Sequence, residues 1–334
     1  MIMFFHLLGA KVYGYSLKQN KISLYNIANL NKIITKSFIG DIRSYNKLKK
    51  SIHKSSPDFL IHMAAQSLVQ YSYVNPRETY EVNSIGTLNI LNILNEIKSI
   101  KNTLIITTDK VYKNLNQNRH FKENDELGGY DPYSNSKACA ELICQSYYSS
   151  FLFGQKISCV TARAGNVIGG GDFAKNRIIP DFFRALKKNK KLILRYPNAI
   201  RPWQHVIEPL YGYILLLMSI SKNKSPKNGA WNFGPTNKNH LSVHQFAKML
   251  KKKMNSFSKI VLLKTNDNKE KHTLDLNSNK AQNLLGWRPL INIEKTLSLT
   301  ADWYLASKNK KNMISFSLRQ IEIYSNLMNR HKKR

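Results

Sequence analysis

The sequence predicts an α/β fold with a doubly wound parallel sheet and a smaller second lobe. Short apolar runs alternate with longer amphipathic stretches through the first half of the chain. Such alternation is typical of a parallel sheet covered by helices on both faces. The chain has 334 residues, 42% of them hydrophobic, so it exceeds the usual size of a single core and can bury a substantial one.

The spacing of apolar residues predicts the individual elements. It predicts strands over residues 11–15, 33–39, 58–63, 103–108, 156–161 and 192–195, and helices over residues 76–97, 179–187, 208–220 and from 244 onward. The pattern loosens after residue 168, where we place the boundary between residues 1–168 and a second lobe of residues 169–334. Because no low-complexity linker separates the two, we expect segments of the second lobe to return to the first domain.

The net charge of +32 is the most unusual feature of the composition. Clustered Lys and Arg release counterions from phosphates, so the charge raises the possibility of nucleic-acid binding. The basic residues, however, are spread along the chain in short groups without interleaved aromatic residues or a recognisable binding module. A codon bias that places Lys on solvated faces is the favoured explanation, and attraction of an anionic substrate is a third. We therefore expect no nucleic-acid partner.

The composition also argues against membrane, secreted and metal-binding classes. No apolar run reaches 18 residues, and the first residues lack the basic flank and small-residue cleavage site of a secretory signal. Cys139, Cys144 and Cys159 are too few and too irregularly spaced for a disulfide framework or a metal site. We expect a cytoplasmic protein without a membrane partner and without a metal.

Tyr133 and Lys137 form the first candidate catalytic motif. Their spacing places a phenol and an ammonium one helical turn apart on one face, and Asp131-Pro132 before them is a plausible helix start. A phenol with a pKa of about 10 is a poor base at neutral pH, but a nearby ammonium favours the phenolate. We therefore expect Lys137 to activate Tyr133 as a base that deprotonates an alcohol during hydride transfer.

The segment Thr107-Thr108-Asp109-Lys110 is the second candidate motif, because it follows a predicted strand directly. The carboxyl ends of strands are where open α/β sheets bind ligands. Asp109 can act as a general acid if burial raises its pKa, and Lys110 as a base if its pKa is lowered. An isolated Thr-Asp-Lys is more often a polar turn, but its pairing with Tyr133 favours the catalytic interpretation.

Four further segments have the residue types that bind nucleotides. They are residues 40–43, with a carboxylate suited to an adenine amino group; residues 64–66, small enough for close approach; the glycine-rich residues 166–172; and residues 201–205, with a guanidinium suited to phosphate. The glycine cluster is also compatible with an ordinary loop. His62 is expected to be a core residue rather than a catalyst.

With these motifs in hand, the chain resembles the extended short-chain dehydrogenase/reductases and, among them, the CDP-glucose 4,6-dehydratases. The resemblance extends through nearly the whole length. Its motifs lie at residues 40–43, 62–66, 83–87, 108–110, 128–137, 162–172, 201–206, 231–235 and 285–289. The dTDP- and GDP-sugar dehydratases have Asp-Glu where this chain has Asp109-Lys110, and this difference favours the CDP-glucose branch.

The resemblance implies a Rossmann-like NAD-binding domain at residues 1–168, a mainly substrate-binding lobe after it, and a lyase that converts CDP-glucose to CDP-4-dehydro-6-deoxy-glucose. This reaction serves deoxysugar and O-antigen-type polysaccharide biosynthesis. The implied catalytic residues are Thr108, Asp109, Lys110, Tyr133 and Lys137. The implied NAD-binding residues are Asp41, Ile42, Ala64, Ala65, Asn83, Tyr133 and Lys137, and the implied substrate-binding residues are Gln66, Asn166, Arg177, Arg201 and Asn232. The resemblance also implies a homodimer or a dimer of dimers, with helices near Leu88 and Ala138 at the contact.

One departure from the family concerns the N-terminus. Family members begin with a strand and a glycine-rich turn that holds the NAD pyrophosphate, whereas residues 1–9 match the helix after that turn. We expect the predicted strands at residues 11–15 and 58–63 to lack a shared neighbour, and we expect the true start to lie upstream. Two alternatives stay open. They are a nucleotide-sugar epimerase, which needs Tyr133 and Lys137 but not the Asp109-Lys110 pair, and a non-catalytic relative that has lost NAD binding.

Overall fold

The computed structural model of the chain describes residues 1–97, 99–114, 119–187, 190–235, 239–263 and 274–332. Its strands in chain order are β1 Tyr13–Ser16, β2 Lys36–Ile39, β3 Phe59–His62, β4 Asn102–Ile106, β5 His120–Phe121, β6 Ser158–Ala164, β7 Asn166–Ile168, β8 Leu192–Leu194, β9 Ile200–His205, β10 Asn228–Phe233, β11 His240–Ser242, β12 Ile260–Leu262 and β13 Asp275–Leu276.

Its α-helices in chain order are α1 Ile2–Leu7, α2 Leu24–Ile27, α3 Tyr45–Ser55, α4 Val69–Val74, α5 Pro76–Tyr80, α6 Gly86–Glu96, α7 Pro132–Tyr147, α8 Ile178–Lys187, α9 Ile207–Ser221, α10 Val243–Lys253, α11 Asn279–Leu285, α12 Ile293–Lys308 and α13 Met313–Lys332. The predicted helix over residues 76–97 is in fact α5 and α6 joined by a π-helical turn, Glu81–Ile85. None of the helices in the described ranges is long and apolar enough to cross a membrane.

The central sheet is parallel and has the strand order β10-β6-β4-β3. Successive residues of its strands point to opposite faces. Ile105 and Cys159 pack with residues of α3, α6 and α7 in one apolar cluster, whereas Leu104 and Val160 pack with residues of α9 and α11 in another. Helices therefore cover both faces, which confirms the predicted α/β class.

Strands β1 and β2 pair with each other in a separate parallel sheet. No strand among the described residues joins β1 to β3, which lies at the end of the central sheet. This agrees with the prediction that these two strands lack a shared neighbour. The predicted boundary near residue 168 stays a prediction, although β10, which comes after it, pairs with β6 of the central sheet.

A third apolar cluster lies among later segments of the chain. It joins residues of α8, α9, α10, α12 and α13, among them the fully buried Phe182 and Phe246. The strand β9 pairs with β7 on one side and β11 on the other. These later elements are thus packed on each other in one apolar cluster.

Candidate functional site

A cavity of about 580 Å³ lies at the carboxyl ends of β4 and β6. Because the two strands are parallel neighbours, the segments that follow them open onto the same edge of the sheet. Residues 178–181 and 192–196, with β9, form the facing wall. Predicted site residues that line the cavity are Thr108, Asp109, Lys110, Tyr133, Asn166, Arg177 and Arg201.

Thr108 and Asp109 leave the end of β4 in a single 3₁₀ turn, Asp109–Val111. The Thr108 hydroxyl donates a hydrogen bond of 2.9 Å to Asp109 Oδ1, and both residues are buried. Burial raises the pKa of Asp109, against the opposing effects of Lys110, the Thr108 hydroxyl and Arg201. The structure thus meets the condition under which Asp109 was predicted to act as a general acid.

Helix α7 holds Tyr133 and Lys137 beside this turn. The helix begins at Pro132, and its cap Asp131 accepts a hydrogen bond of 3.0 Å from the Ser134 backbone amide. Lys137 is buried, and its Nζ donates to the carbonyl of Ile106 at 3.0 Å. Burial lowers the pKa of Lys137 to about 8, although the Glu141 carboxylate opposes this shift.

The activation of Tyr133 by Lys137 stays a prediction, and in the protein alone the pKa of the Tyr133 phenol is raised. Burial raises the pKa of the Tyr133 phenol to about 12, and the charges of Asp109 and Asp131 act in the same direction. The groups that oppose this rise are the Thr108 hydroxyl and the Arg177 guanidinium. Desolvation of the phenolate outweighs the effect of nearby cations, so Tyr133 is protonated at neutral pH in the protein alone.

Arg177 and Arg201 place two guanidinium groups on the cavity wall. Arg177 Nη2 donates to Ser67 Oγ at 3.1 Å, and its Nη1 lies 3.4 Å from Asp172 Oδ2. Arg201 follows the first residue of β9, and its Nη1 donates to the Ile200 carbonyl at 2.9 Å. Asn166 is the first residue of β7 on the same wall. Paired guanidinium groups in a cavity suit an anionic ligand.

The residues predicted to line the cofactor near Asp41 and Ala64 follow β2 and β3, which belong to two different sheets, and they lie outside the lining of the cavity. Asp41 follows β2, and its two carboxylate oxygens accept from Arg43 Nε at 3.0 Å and Nη2 at 2.7 Å. This pairing lowers the pKa of Asp41. Ile42 is buried, whereas Ala64 and Ala65 follow β3 and are half-buried.

Asn83 and Asn232, which were predicted to bind the cofactor and the substrate, are both fully buried and outside the cavity lining. The Asn83 amide donates to the Gln66 carbonyl at 3.0 Å and to Ser136 Oγ at 2.9 Å. The Asn232 amide donates to the Phe121 carbonyl at 2.9 Å, and its oxygen accepts from Tyr112 at 2.8 Å. Internal hydrogen bonds thus use both side chains, and their contacts with a ligand stay a prediction.

Gln66 is also engaged within the protein and lies outside the cavity lining. Its amide donates to Thr79 Oγ1 at 3.0 Å, and its oxygen accepts from the Leu68 amide at 2.6 Å. The neighbouring Ser67, which the sequence did not single out, lines the cavity instead and holds Arg177. The substrate contact expected of Gln66 stays a prediction.

The glycine-rich loop packs closely against other elements, and Gly169 and Gly170 also line the cavity. A Cβ on Gly170 would collide with the indole of Trp303, and one on Gly169 would lie 2.6 Å from Val206 Cγ1. Close packing therefore accounts for these glycines, in line with the ordinary-loop interpretation. His62 is buried as predicted, with its Nε2 3.1 Å from Thr87 Oγ1, and burial lowers its pKa to about 3.

Sequence reasoning missed one buried polar cluster beside the catalytic motifs. Glu141 and Arg163 form an ion pair of 2.8 Å with side-chain exposures of 1% and 0%. The only sequence signal was a charged residue one turn after Lys137 on the same helix face, and a charge inside the β6 strand pattern. Both signals are compatible with a surface, so they did not point to a buried pair.

The comparisons with known proteins agree with this geometry. The family profile described as GDP-mannose 4,6 dehydratase matches residues 2–300. A CDP-glucose 4,6-dehydratase of Salmonella typhimurium is 39% identical over 95% of this chain and 90% of its own length. The crystal structure of DesIV, a dTDP-glucose 4,6-dehydratase from Streptomyces venezuelae with NAD bound, superposes with a TM-score of 0.79 at 21% identity, covering 94% of this chain and 95% of that one.

The same fold is shared with epimerases. A crystal structure of UDP-glucose 4-epimerase has a TM-score of 0.80 at 20% identity and covers 92% of this chain and 94% of that one. At such identities the superpositions show the fold alone, so membership rests on the sequence matches. The family profile covers most of the chain, and the Salmonella relative exceeds a third identity over nearly all of it. The chain belongs to the GDP-mannose 4,6 dehydratase family.

Proposed function

We propose that the protein is a hydro-lyase that converts CDP-glucose to CDP-4-dehydro-6-deoxy-glucose with NAD. The observation that carries the proposal is the buried Asp109, hydrogen-bonded to Thr108 and placed with Tyr133 in one cavity. An epimerase needs a base such as Tyr133 but has no use for a buried general acid. The 39% identical relative bears the same activity in its name, which supports the CDP-glucose assignment.

The chain's own residues have distinct roles in this reaction. Tyr133 takes the proton of the sugar 4-hydroxyl once positive charge in the reacting complex has favoured its phenolate, and Thr108 hydrogen-bonds the phenolic oxygen during this step. The 4-ketone that results acidifies the C5 proton, which Lys110 removes. Asp109, whose pKa burial raises, donates a proton to the departing 6-hydroxyl. Arg177 and Arg201 hold the diphosphate of the substrate against the cavity wall.

The residues around Tyr133 fit the nicotinamide end of NAD. Lys137 has three N–H donors, and its hydrogen bond to the Ile106 carbonyl uses one. The remaining donors suit the hydroxyl groups of the nicotinamide ribose, and the Asp41 carboxylate suits the adenosine half. Lys137 and Asp41 would hold and orient NAD, which would supply the hydride chemistry at C4 and C6 of the sugar. Burial of Tyr133 and Asp109 excludes water from the reacting carbons.

The test is an assay of the purified chain with NAD and CDP-glucose. We expect a product with the alkaline absorbance of a 4-keto-6-deoxy sugar, and at least about tenfold lower kcat/KM with dTDP-glucose or GDP-mannose. Absence of this product, together with epimerisation of any nucleotide sugar, contradicts the proposal and favours the epimerase alternative. Absence of any turnover at saturating NAD favours a non-catalytic relative.

We also propose that the protein forms a homodimer or a dimer of dimers through the helices near Leu88 and Ala138. Exposed apolar side chains on this side of the molecule support the proposal. They include Ile85 and Leu142, which are 47% and 53% exposed on elements that pack together. Sedimentation velocity is expected to give a dimer mass for the wild type and a monomer mass for Leu142→Asp. A monomeric wild type contradicts the proposal.

The three free cysteines are consistent with a reducing compartment, and we propose that the protein is cytoplasmic. Cell fractionation is expected to recover the protein with cytoplasmic markers. Recovery with the envelope fraction contradicts this proposal.

A further inference from the structure

Glu141 lies on α7 one turn beyond Lys137, and its buried carboxylate has no role in the reaction described above. Its oxygen Oε1 accepts from Thr107 Oγ1 at 2.5 Å and from Arg163 Nε at 2.8 Å. The other oxygen, Oε2, accepts from Thr161 Oγ1 at 2.6 Å and from Arg163 Nη2 at 3.0 Å. Four donors from two neighbouring strands therefore converge on one helix side chain.

A buried ion pair of this kind is weak evidence for stability. Removing two charges from water costs several kcal/mol per ion, and a well-packed apolar pair of similar volume is often as stable or more stable. Arg163 adds further internal bonds, because its Nη1 donates to Tyr112 at 2.7 Å and to the Glu123 carbonyl at 3.1 Å. A fully satisfied polar cluster fixes the positions of its members more narrowly than apolar packing does. We therefore expect the Glu141–Arg163 cluster to fix the positions of the elements that it connects more than it raises the stability of the protein.

The elements that Glu141 connects are those that hold the two catalytic motifs. Residues 133, 137 and 141 follow one another at helical spacing on α7. Lys137 binds the carbonyl of Ile106, and Glu141 binds the hydroxyl of Thr107, the next residue. Thr107 directly precedes Thr108 and Asp109. Lys137 and Glu141, one helical turn apart on α7, thus bind Ile106 and Thr107, which immediately precede Thr108 and Asp109.

We propose that Glu141, held by Arg163, is a positioning residue that sets the separation between Tyr133 on α7 and Thr108-Asp109 after β4. This inference deepens the proposed function, on which it rests for its kinetic test. The carboxylate also favours the ammonium form of Lys137, in opposition to burial, which lowers the pKa of Lys137 to about 8. Glu141 thus holds the two motifs together and stabilises the charge of the lysine between them.

Two threonines provide a matched test, because both donate to the Glu141 carboxylate but only one is connected to a catalytic motif. Thr107→Val removes the bond to the end of β4, and Thr161→Val removes an equivalent bond to the middle of β6. Both substitutions keep the shape of the side chain. We expect Thr107→Val to lower kcat at least about tenfold with KM nearly unchanged, because displacement of a catalytic group by about an ångström has effects of this size.

Thr161→Val is expected to keep kcat within about twofold of the wild type. Its free energy of unfolding is expected to fall by about as much as that of Thr107→Val, because each variant loses one hydrogen bond to Glu141. Thr107→Ser retains the hydroxyl and is expected to restore most of the wild-type kcat. Equal losses of kcat in Thr107→Val and Thr161→Val contradict the proposal, and so does a Thr107→Ser variant as impaired as Thr107→Val.

Glu141→Gln removes the charge together with the hydrogen bonds that one carboxylate oxygen accepts, so its readout is the pH dependence of kcat. Removing the carboxylate favours neutral Lys137, so the alkaline fall in kcat is expected to begin at lower pH than in the wild type. If kcat of Glu141→Gln falls at the same alkaline pH as that of the wild type, the carboxylate does not act on Lys137, and this part of the proposal is contradicted. If the wild type forms no 4-keto sugar, the proposed function fails, and crystal structures of the threonine variants decide the positioning role. A longer separation between Thr108 and Tyr133 in Thr107→Val alone supports it, and an unchanged separation contradicts it.

Discussion

At the scale of single residues, burial acts on two acids of the site in the same direction but with opposite consequences. It raises the pKa of Asp109, which keeps a proton available for a leaving group, and it raises that of Tyr133 to about 12, which hinders its action as a base. Tyr133 therefore needs positive charge in the reacting complex, and the described cation that already acts on it is Arg177. In the protein alone, Asp109 is thus ready to donate its proton, whereas Tyr133 is not yet in the form that accepts one.

The substitution Asp109→Asn tests the role of the buried carboxyl. The amide cannot donate an acidic proton, so we expect turnover to fall by about 10²- to 10⁴-fold while oxidation of C4 still proceeds. Reduced nicotinamide is then expected to accumulate, as measured by its absorbance after mixing with substrate. Tyr133→Phe is the matched variant, since it is expected to lose turnover without forming reduced nicotinamide. If both variants behave alike, the division of roles between the two residues is wrong.

Particular residues show how far the sequence determines the site. Thr108, Asp109, Tyr133 and Arg201 could be predicted from their residue types and from the strands or helix starts near them, whereas Arg177 was implied only by the family resemblance. The ligand contacts expected of Asn83 and Asn232 stay predictions, because both side chains are buried outside the cavity lining. Amides suit ligands and internal hydrogen bonds equally well, and only the tertiary contacts show that internal partners use them.

At the scale of elements, the N-terminus of α7 determines where the phenol of Tyr133 lies. Asp131 caps the helix through the Ser134 amide, two residues beyond the start of the helix at Pro132. The helix was recognisable in the sequence from Asp131-Pro132, because an acidic cap followed by proline suits the first turn of a helix. The connection between α7 and β4 was not recognisable, since it depends on contacts between residues far apart in the chain.

Asp131→Ala is expected to lower the free energy of unfolding by about 1 kcal/mol through loss of the cap. It is also expected to lower kcat severalfold, because fraying of the first turn displaces Tyr133. The control is Asn292→Ala, which removes a similar cap from α12, where Asn292 Oδ1 accepts from the Lys295 amide at 2.9 Å. Urea denaturation and steady-state kinetics of both variants provide the comparison. A similar loss of kcat in Asn292→Ala would falsify the local explanation.

A second element-scale prediction concerns Glu208 at the start of α9. Its Oε1 accepts from the amides of Leu290 and Ile291 at 2.6 and 2.8 Å, and burial raises its pKa from 4.5 to about 7. Because the folded pKa is the higher one, the stabilisation by the protonated form is complete below pH 4.5 and is lost as pH rises toward 7. The loss corresponds to about 3 kcal/mol.

Glu208→Gln cannot ionise, and its oxygen can still accept from the same two amides. The free energy of unfolding of this variant, from urea denaturation, is therefore expected to fall less between pH 4.5 and 8 than that of the wild type. Glu322→Gln removes an exposed carboxylate of α13 and serves as the control, with the pH dependence of the wild type. Identical pH dependence in all three proteins contradicts the assignment of the shift to Glu208.

At the scale of the whole molecule, stability is expected to be distributed unevenly between the two parallel sheets. Strands β4 and β6 lie between helices on both faces, and Leu104 and Val160 are fully buried. Strand β1 pairs only with β2 among the described residues, and neither strand contains a fully buried side chain. Two strands with so little buried apolar area contribute little to the cooperative core.

Hydrogen exchange measured by mass spectrometry tests this distribution. Amides of β1 and β2 are expected to exchange through local opening, with a protection free energy that is nearly independent of low urea concentrations. Amides of β4 and β6 are expected to exchange through global unfolding, so their protection decreases with urea at the slope of the denaturation curve. Equal protection and equal urea dependence in both pairs of strands would show that the sheets unfold as one unit. In that case the contacts of α3 with β1, and its apolar packing onto the central sheet, couple the two sheets more strongly than their hydrogen bonding indicates.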